Sequence, residues 1–100
     1  MLDSIDAYLV RRRRKNYDCR DLSAEVWRAL TGEELLDRDI KTMQRLDAPV
    51  DPCIVLFRRR GENHMGVFVR GKVLHLAEMS ARFERLDIAG LGFVEARFYR

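Results

Sequence analysis

The stretch that decides the fold runs from Asn16 to Leu30 and reads NYDCRDLSAEVWRAL. Apolar residues recur at every fourth position and predict one buried helical stripe, made of Leu22, Val26 and Leu30. Asp18 is a good N-cap, and Asp21 three residues later suits the positive end of the helix dipole. The sequence therefore predicts a helix that begins at Cys19 and stops at Gly32, where glycine supplies a left-handed cap.

Cys19 takes the first position of this predicted helix. Unpaired backbone N–H groups and the helix dipole favour the thiolate there, which is a common way to make a cysteine nucleophilic. The alternative interpretation is a small apolar residue at a helix start. The nucleophile is the stronger hypothesis because two histidines, His64 and His75, follow in the chain.

The composition of the chain predicts a single small globular domain, spanning residues 1–100, with 47% hydrophobic residues. We expect no signal peptide, because Asp3 and Asp6 interrupt the first apolar segment and the basic residues follow it. No apolar segment approaches the length of a membrane span. Cys19 and Cys53 are expected to be free thiols, since a disulfide needs an oxidising compartment.

The formal net charge is only +3, but its distribution is uneven. Five consecutive cations occupy Arg11 to Lys15, and three more occupy Arg58 to Arg60. These clusters could face a polyanion, or they could be a solvated loop and a solvated strand end.

The order of elements predicts helices first and strands afterwards. A short amphipathic helix is expected from Leu2 to Leu9, and one or two short helices between Glu33 and Leu46. Asp47 to Pro52 holds both prolines and marks the passage to the strands. The predicted strands are Cys53–Phe57, His64–Val69, Lys72–Ala77, Phe83–Ile88 and Phe93–Tyr99, with turns at Gly61–Asn63 and Arg70-Gly71. This pattern is typical of a segregated α+β domain.

The hairpin about Arg70-Gly71 places both histidines on one face. Gly66 lies opposite His75, and His64 is the diagonal neighbour of His75, with roughly 7 to 8 Å between their backbones. Glycine at position 66 leaves space between the two rings. The other face is apolar and carries Met65, Val67, Val69, Leu74 and Leu76. We therefore expect a packed helix to bring Cys19 to the histidine face.

These residue types together predict nucleophilic catalysis. A histidine beside Cys19 can form a thiolate–imidazolium pair and later protonate a leaving amine, while a second polar group fixes its tautomer. The hypothesis makes Cys19 the nucleophile, His64 the base and His75 the orienting residue, with the Cys19 backbone N–H as an oxyanion donor. A zinc site from both cysteines and both histidines would lack a close C-x-x-C or H-x-x-x-H pair, so we expect no metal and no other cofactor.

The chain has Asp18-Cys19 at a helix start, Pro52 leading into a strand, then His64-Met-Gly-Val-Phe68 and Val73-Leu-His75. This order, from about Tyr8 to Leu86, resembles the NlpC/P60 cysteine peptidases. The resemblance implies a reduced papain-like fold, with N-terminal helices packed on a small antiparallel sheet. It also implies the catalytic set of Cys19, His64 and His75.

The resemblance extends to the cleft around the catalytic set. Gly66 belongs to the histidine motif, and Tyr8 and Tyr17 are the two candidates for a tyrosine that lines the cleft upstream of the cysteine. Arg20-Asp21 follows the cysteine where wall-cleaving members carry Ser-Gly, which alters the substrate side of the cleft. Cys53 stands in place of part of a Pro-Gly-Asp turn and is interpreted as a structural thiol.

The resemblance implies a cysteine endopeptidase that cuts the stem peptides of bacterial peptidoglycan. A single short domain is similar to compact members among phage tail-assembly and tail-tip proteins. This similarity implies other tail proteins as partners. It also implies a location in the virion tail or in the host cytoplasm. The main alternative is a structural tail protein whose site is weak or idle. A nucleic-acid-binding module using Arg11 to Lys15 would lack interleaved aromatics and a binding motif, so neither nucleic acid nor membrane is an expected partner.

Overall fold

In the computed structural model, which describes residues 4–35 and 39–100, helices pack against a six-stranded antiparallel sheet. The strands are β1 (Arg45–Leu46), β2 (Cys53–Arg59), β3 (Glu62–Val69), β4 (Lys72–Leu76), β5 (Ala81–Glu84) and β6 (Glu95–Tyr99). Their order across the sheet is β1-β6-β2-β3-β4-β5. The helices are α1 (Asp6–Leu9), α2 (Cys19–Thr31), α3 (Asp39–Thr42) and α4 (Leu86–Ala89). The predicted α+β class is confirmed.

Helix α2 begins and ends where the sequence predicts. The Asp18 carboxylate accepts a hydrogen bond from the Arg20 N–H at 2.9 Å, and the Asp21 carboxylate accepts one from the Asp18 N–H at 2.7 Å. This reciprocal capping box satisfies donors that have no partner inside the helix. At the other end Gly32 has φ of 77° and donates its N–H to Arg28. Both ends are set by local sequence.

The sheet has two faces with different coverings. Helix α2 covers one face, where a buried cluster joins Leu22, Val26 and Trp27 to Ile54, Met65, Val67, Leu74 and Leu76. A smaller buried cluster on the opposite face joins Ala89 of α4 to Val55, Phe57 and Val73. Alternate strand residues point to opposite faces. Each residue of β3 and β4 therefore faces either the cluster under α2 or the smaller cluster around Phe57.

A predicted strand in the second half of the chain is wrong in part. The strand predicted over Phe83–Ile88 is wrong beyond Glu84, since residues 86–89 form α4. A helical turn places Leu86 and Ala89 on the same side, where both pack in the cluster around Phe57. A short run with two spaced apolar residues does not distinguish a helical turn from a strand.

The segment from Glu33 to Leu46 also differs from the prediction. Its described helix is α3, and residues 45–46 form β1, which pairs with β6. The turn after β2 is at Arg60–Gly61, so β3 begins at Glu62 rather than at His64. The first residues of the predicted N-terminal helix, and residues 36–38 of the predicted helical segment, lie outside the described residues. Within the described ranges no helix combines the length and apolarity that crossing a bilayer requires.

Candidate active site

The two histidines meet on one face of the β3–β4 hairpin, as predicted. Gly66 pairs with His75 across the strands, and the connection is Arg70–Gly71. His64 Nε2 lies 2.8 Å from His75 Nδ1, and the ring planes meet at 74°. A Cβ on Gly66 would lie 3.0 Å from the His75 Cβ and 2.8 Å from Val73 Cγ1. Glycine at position 66 therefore permits this close approach of the strands.

Glu84 continues the hydrogen-bonded chain onto β5. Its Oε1 lies 2.9 Å from His75 Nε2, on the side of that ring opposite His64. Glu84 pairs with Val73 in the β4–β5 register and is thus a diagonal neighbour of His75. Glu84 was not among the residues predicted for the site. The available signal was the alternation in β5, where Phe83 lies opposite the core residue Leu74 and Glu84 must face the other way.

The His64 ring is held in a partly aromatic cleft of about 410 Å³. It stacks at 6.0 Å from the Phe57 ring and at 5.8 Å from the Phe93 ring, with small interplanar angles. Arg13 and Arg59 also line the cleft. The cleft is thus a mixed surface with apolar and cationic walls around the two imidazoles, and it also carries the carboxylates of Glu62 and Glu78.

Burial favours the neutral form of both imidazoles. Burial lowers the pKa of His64 to about 4, and the charges of His75 and Arg13 act in the same direction. Burial also lowers the pKa of His75, against the raising effect of the Glu84 carboxylate. His64 Nδ1 has no hydrogen-bond partner among the described residues. That nitrogen can accept a proton.

Cys19 begins α2, as predicted, but its side chain belongs to the face that α2 covers. It is buried in the cluster that contains Met65 and Leu76. His64 and His75, by strand alternation, project from the opposite face. The prediction that the packed helix approaches the histidine face is therefore wrong. In residues 4–35 and 39–100 no hydrogen bond joins the Cys19 sulfur to either imidazole.

The Cys19 thiol nevertheless lies at the level of His64 along the sheet. The backbone N–H of Met65, the residue after His64, faces the sulfur and lowers its pKa. The pairing of β3 with β4 ends at Gly66 and His75. Beyond that pair the Arg13 guanidinium donates to the carbonyl oxygens of Leu76 and Ala77, at 3.2 and 3.3 Å. We call the place where this pairing has ended, between Met65 of β3 and Leu76 of β4, the strand gap.

Arg13 connects the two faces electrostatically at the strand gap. Its charge lowers the pKa of the Cys19 thiol and also that of His64. Burial is the larger effect on Cys19 and raises the pKa of the thiol above its ordinary value. The prediction of a resting thiolate is therefore wrong. Burial thus favours the neutral thiol of Cys19 and the neutral imidazole of His64 in the free protein.

The other predicted cleft residues lie elsewhere. The Tyr17 hydroxyl donates to Glu25 at 2.8 Å, and burial together with that carboxylate raises the pKa of Tyr17. Tyr8 packs against the α2-side cluster. Arg20 lines a separate shallow cavity with Leu56. Among the described residues none of Tyr8, Tyr17 and Arg20 lines the histidine cleft.

Each of the two cationic runs contains an arginine that forms an ion pair with a glutamate of the fold. Arg11 pairs with Glu25 at 3.0 Å, and Arg59 pairs with Glu62.

Cys53 is a fully buried free thiol, as expected for a structural cysteine, and Cys19 is also free. The parts of the chain that the structure describes contain no group of three His, Cys, Asp or Glu side chains arranged to hold a metal ion.

Comparison with models of protein families, with curated proteins and with solved structures finds no match for this chain. The case for a function therefore depends on the motifs and on the geometry of the site.

Proposed function

We propose that this protein is a cysteine hydrolase of the NlpC/P60 type, with a reduced papain-like fold. The observation that carries the proposal is the state of His64: its Nε2 is held by His75, and its Nδ1 has no partner among the described residues. The Cys19 thiol, at the start of α2, lies against the backbone N–H of Met65, the residue after His64 on β3. A cysteine at a helix start and an oriented imidazole are the two groups that acyl transfer requires.

In the proposed reaction the thiol loses its proton as it attacks. His64 Nδ1 takes the proton from Cys19 Sγ while the sulfur adds to the substrate carbonyl carbon. The backbone N–H of Cys19 donates to the oxyanion. The protonated His64 then gives the proton to the leaving amine, and water hydrolyses the thioester. Deprotonation is coupled to attack because burial favours the neutral form of both groups before substrate binds.

Rotation of the Cys19 side chain through the strand gap is the conformational step that this reaction needs. Catalytic contacts are often long in a free enzyme and shorten when substrate binds. The Arg13 guanidinium donates to the Leu76 and Ala77 carbonyl oxygens beside the gap. A substrate that enters beside Arg13 would meet His64 directly, and it would meet Cys19 only after this rotation.

The substrate class that we propose is the peptide stem of bacterial peptidoglycan. The motif order of Asp18-Cys19, His64 and His75 supports this class by its resemblance to NlpC/P60 peptidases. Of the two cations in the cleft, Arg59 pairs with Glu62, and Arg13 is the one that suits a substrate carboxylate.

A structural role in a phage tail is the second candidate, with the same site idle. The burial of Cys19, which is 8% exposed, favours it, as does the lack of a hydrogen bond from its sulfur to His64 in the described residues. Leu91 and Val94 beside the cleft are 71% and 83% exposed, and such residues suit contact with neighbouring tail proteins.

The test is incubation of the purified protein with muropeptides of known stem composition, followed by mass spectrometry. We expect the wild type to release a new amino terminus, Cys19→Ala to release none, and Cys53→Ala to retain cleavage. Cys53 is the matched control because it is the second buried free thiol of the chain. Equal product from Cys19→Ala and the wild type would refute the proposal, and absence of product from every variant would favour the structural role.

A further inference from the structure

Three strands place three polar side chains in a diagonal line across one face of the sheet. They are His64 on β3, His75 on β4 and Glu84 on β5, joined by contacts of 2.8 and 2.9 Å. The His75 side chain is 5% exposed, and that of Glu84 is 22% exposed. The carboxylate thus reaches from the rim of the domain to a buried ring.

While both imidazoles are neutral, the carboxylate end of this line fixes the direction of both hydrogen bonds in it. An ionised carboxylate only accepts, so His75 Nε2 must carry the hydrogen that points at Glu84. A neutral His75 then has a lone pair on Nδ1, which accepts from the N–H at His64 Nε2. A neutral His64 with its hydrogen on Nε2 has its lone pair on Nδ1. In the reverse direction, a lone pair on His75 Nε2 would face a lone pair on the Glu84 carboxylate oxygen.

We propose that Glu84 is a positioning residue that, through His75, holds both imidazoles in the tautomer that leaves His64 Nδ1 as the proton acceptor. This inference rests on the proposed roles of Cys19 and His64. Glu84 does not touch the reacting atoms. It acts two rings away by excluding the tautomer in which His64 Nδ1 carries a hydrogen and cannot act as a base.

Substitution by glutamine separates the charge from the shape of Glu84. The amide oxygen can accept from His75 as the carboxylate does, but a rotated amide can donate instead and permit the reverse chain. Glu84→Gln should therefore show both tautomers. Glu84→Leu removes the acceptor altogether and should show the larger change. Glu95→Gln is the matched control, because Glu95 lies on β6 and pairs with Arg58 and Arg97.

The experiment records ¹⁵N–¹H spectra of the histidine rings in the full-length protein at pH 7.5. We expect the wild type and Glu95→Gln to carry hydrogen on Nε2 of both rings, and Glu84→Gln to give mixed tautomers. Cleavage by Glu84→Leu should fall in kcat by about 10- to 100-fold, as for other groups that orient a functional histidine, with KM little changed.

Unchanged ring tautomers in both Glu84 variants would overturn the inference, even if cleavage fell. If Glu84→Leu does not fold, Glu84→Gln decides alone, since it keeps the size of the side chain. The ring spectra do not depend on cleavage. A wild type that does not cleave would therefore refute the proposed function, while the tautomers would still decide the role of Glu84.

Discussion

Replacement of Gly66 by alanine tests how tightly the histidine pair depends on strand spacing. The new Cβ would lie 2.8 Å from Val73 Cγ1, 3.0 Å from the His75 Cβ and 3.3 Å from the Leu74 carbonyl oxygen. Val73 is fully buried and cannot turn aside into solvent. The methyl group must therefore push β4 away from β3 at the level of the 2.8 Å contact between His64 and His75.

The size of the effect follows from two opposed contributions. Overpacking of a filled site costs about 1–3 kcal/mol. Alanine in place of glycine restricts the unfolded chain and returns about 0.4–1 kcal/mol. We expect Gly66→Ala to lower the free energy of unfolding by about 1–2 kcal/mol, which for a domain of this size lowers Tm by about 4–16 °C. Urea titration gives the free energy, and ring NMR reports whether the contact between the histidines is lost.

A double-mutant cycle with Val73→Ala supplies the control. Val73→Ala alone should destabilise the fold because it empties buried space, but it should cost less in the Gly66→Ala background, where it removes the closest clash. An unchanged or raised Tm for Gly66→Ala would refute the reasoning, as would strict additivity in the cycle.

Three further outcomes follow from the described contacts. Asp18→Ala should lower the free energy of unfolding by about 0.5–2 kcal/mol because α2 loses its side-chain cap, and Asp18→Ser should recover most of that loss in urea titrations. The pKa of His64 is lowered to about 4, so the unfolded chain binds a proton first as pH falls. The free energy of unfolding should then decrease from about pH 6.5 toward pH 4, by at most about 1.4 kcal/mol per pH unit for this residue. A His64→Gln variant whose free energy of unfolding falls with the same slope would contradict this. Burial raises the pKa of both cysteine thiols, so iodoacetamide should modify Cys19 at pH 8 more slowly than a free peptide thiol, and Cys53 more slowly still. A Cys19 that reacts faster than the free peptide would show that a thiolate is present at rest.

The sequence by itself determined the features that depend on neighbouring residues. The bounds of α2 followed from Asp18 and Gly32, since helix ends are set by local capping. The contact between His64 and His75 followed from a two-residue loop and from the alternation of strand residues, which together fix register and face. None of these features needs the rest of the molecule to be known.

The tertiary structure alone decided which face each residue meets and how deeply it is buried. Alternation says that His64 and Met65 face opposite ways, but not which side a helix covers. Helix α2 packs on the more apolar face, because the hydrophobic effect favours the larger buried area there, and Cys19 is carried with it. Burial then raises the pKa of the thiol, against the local preference of a helix start. The contact of Glu84 with His75 likewise depends on the pairing of β5 with β4, which sets neighbours that are nine residues apart in the chain.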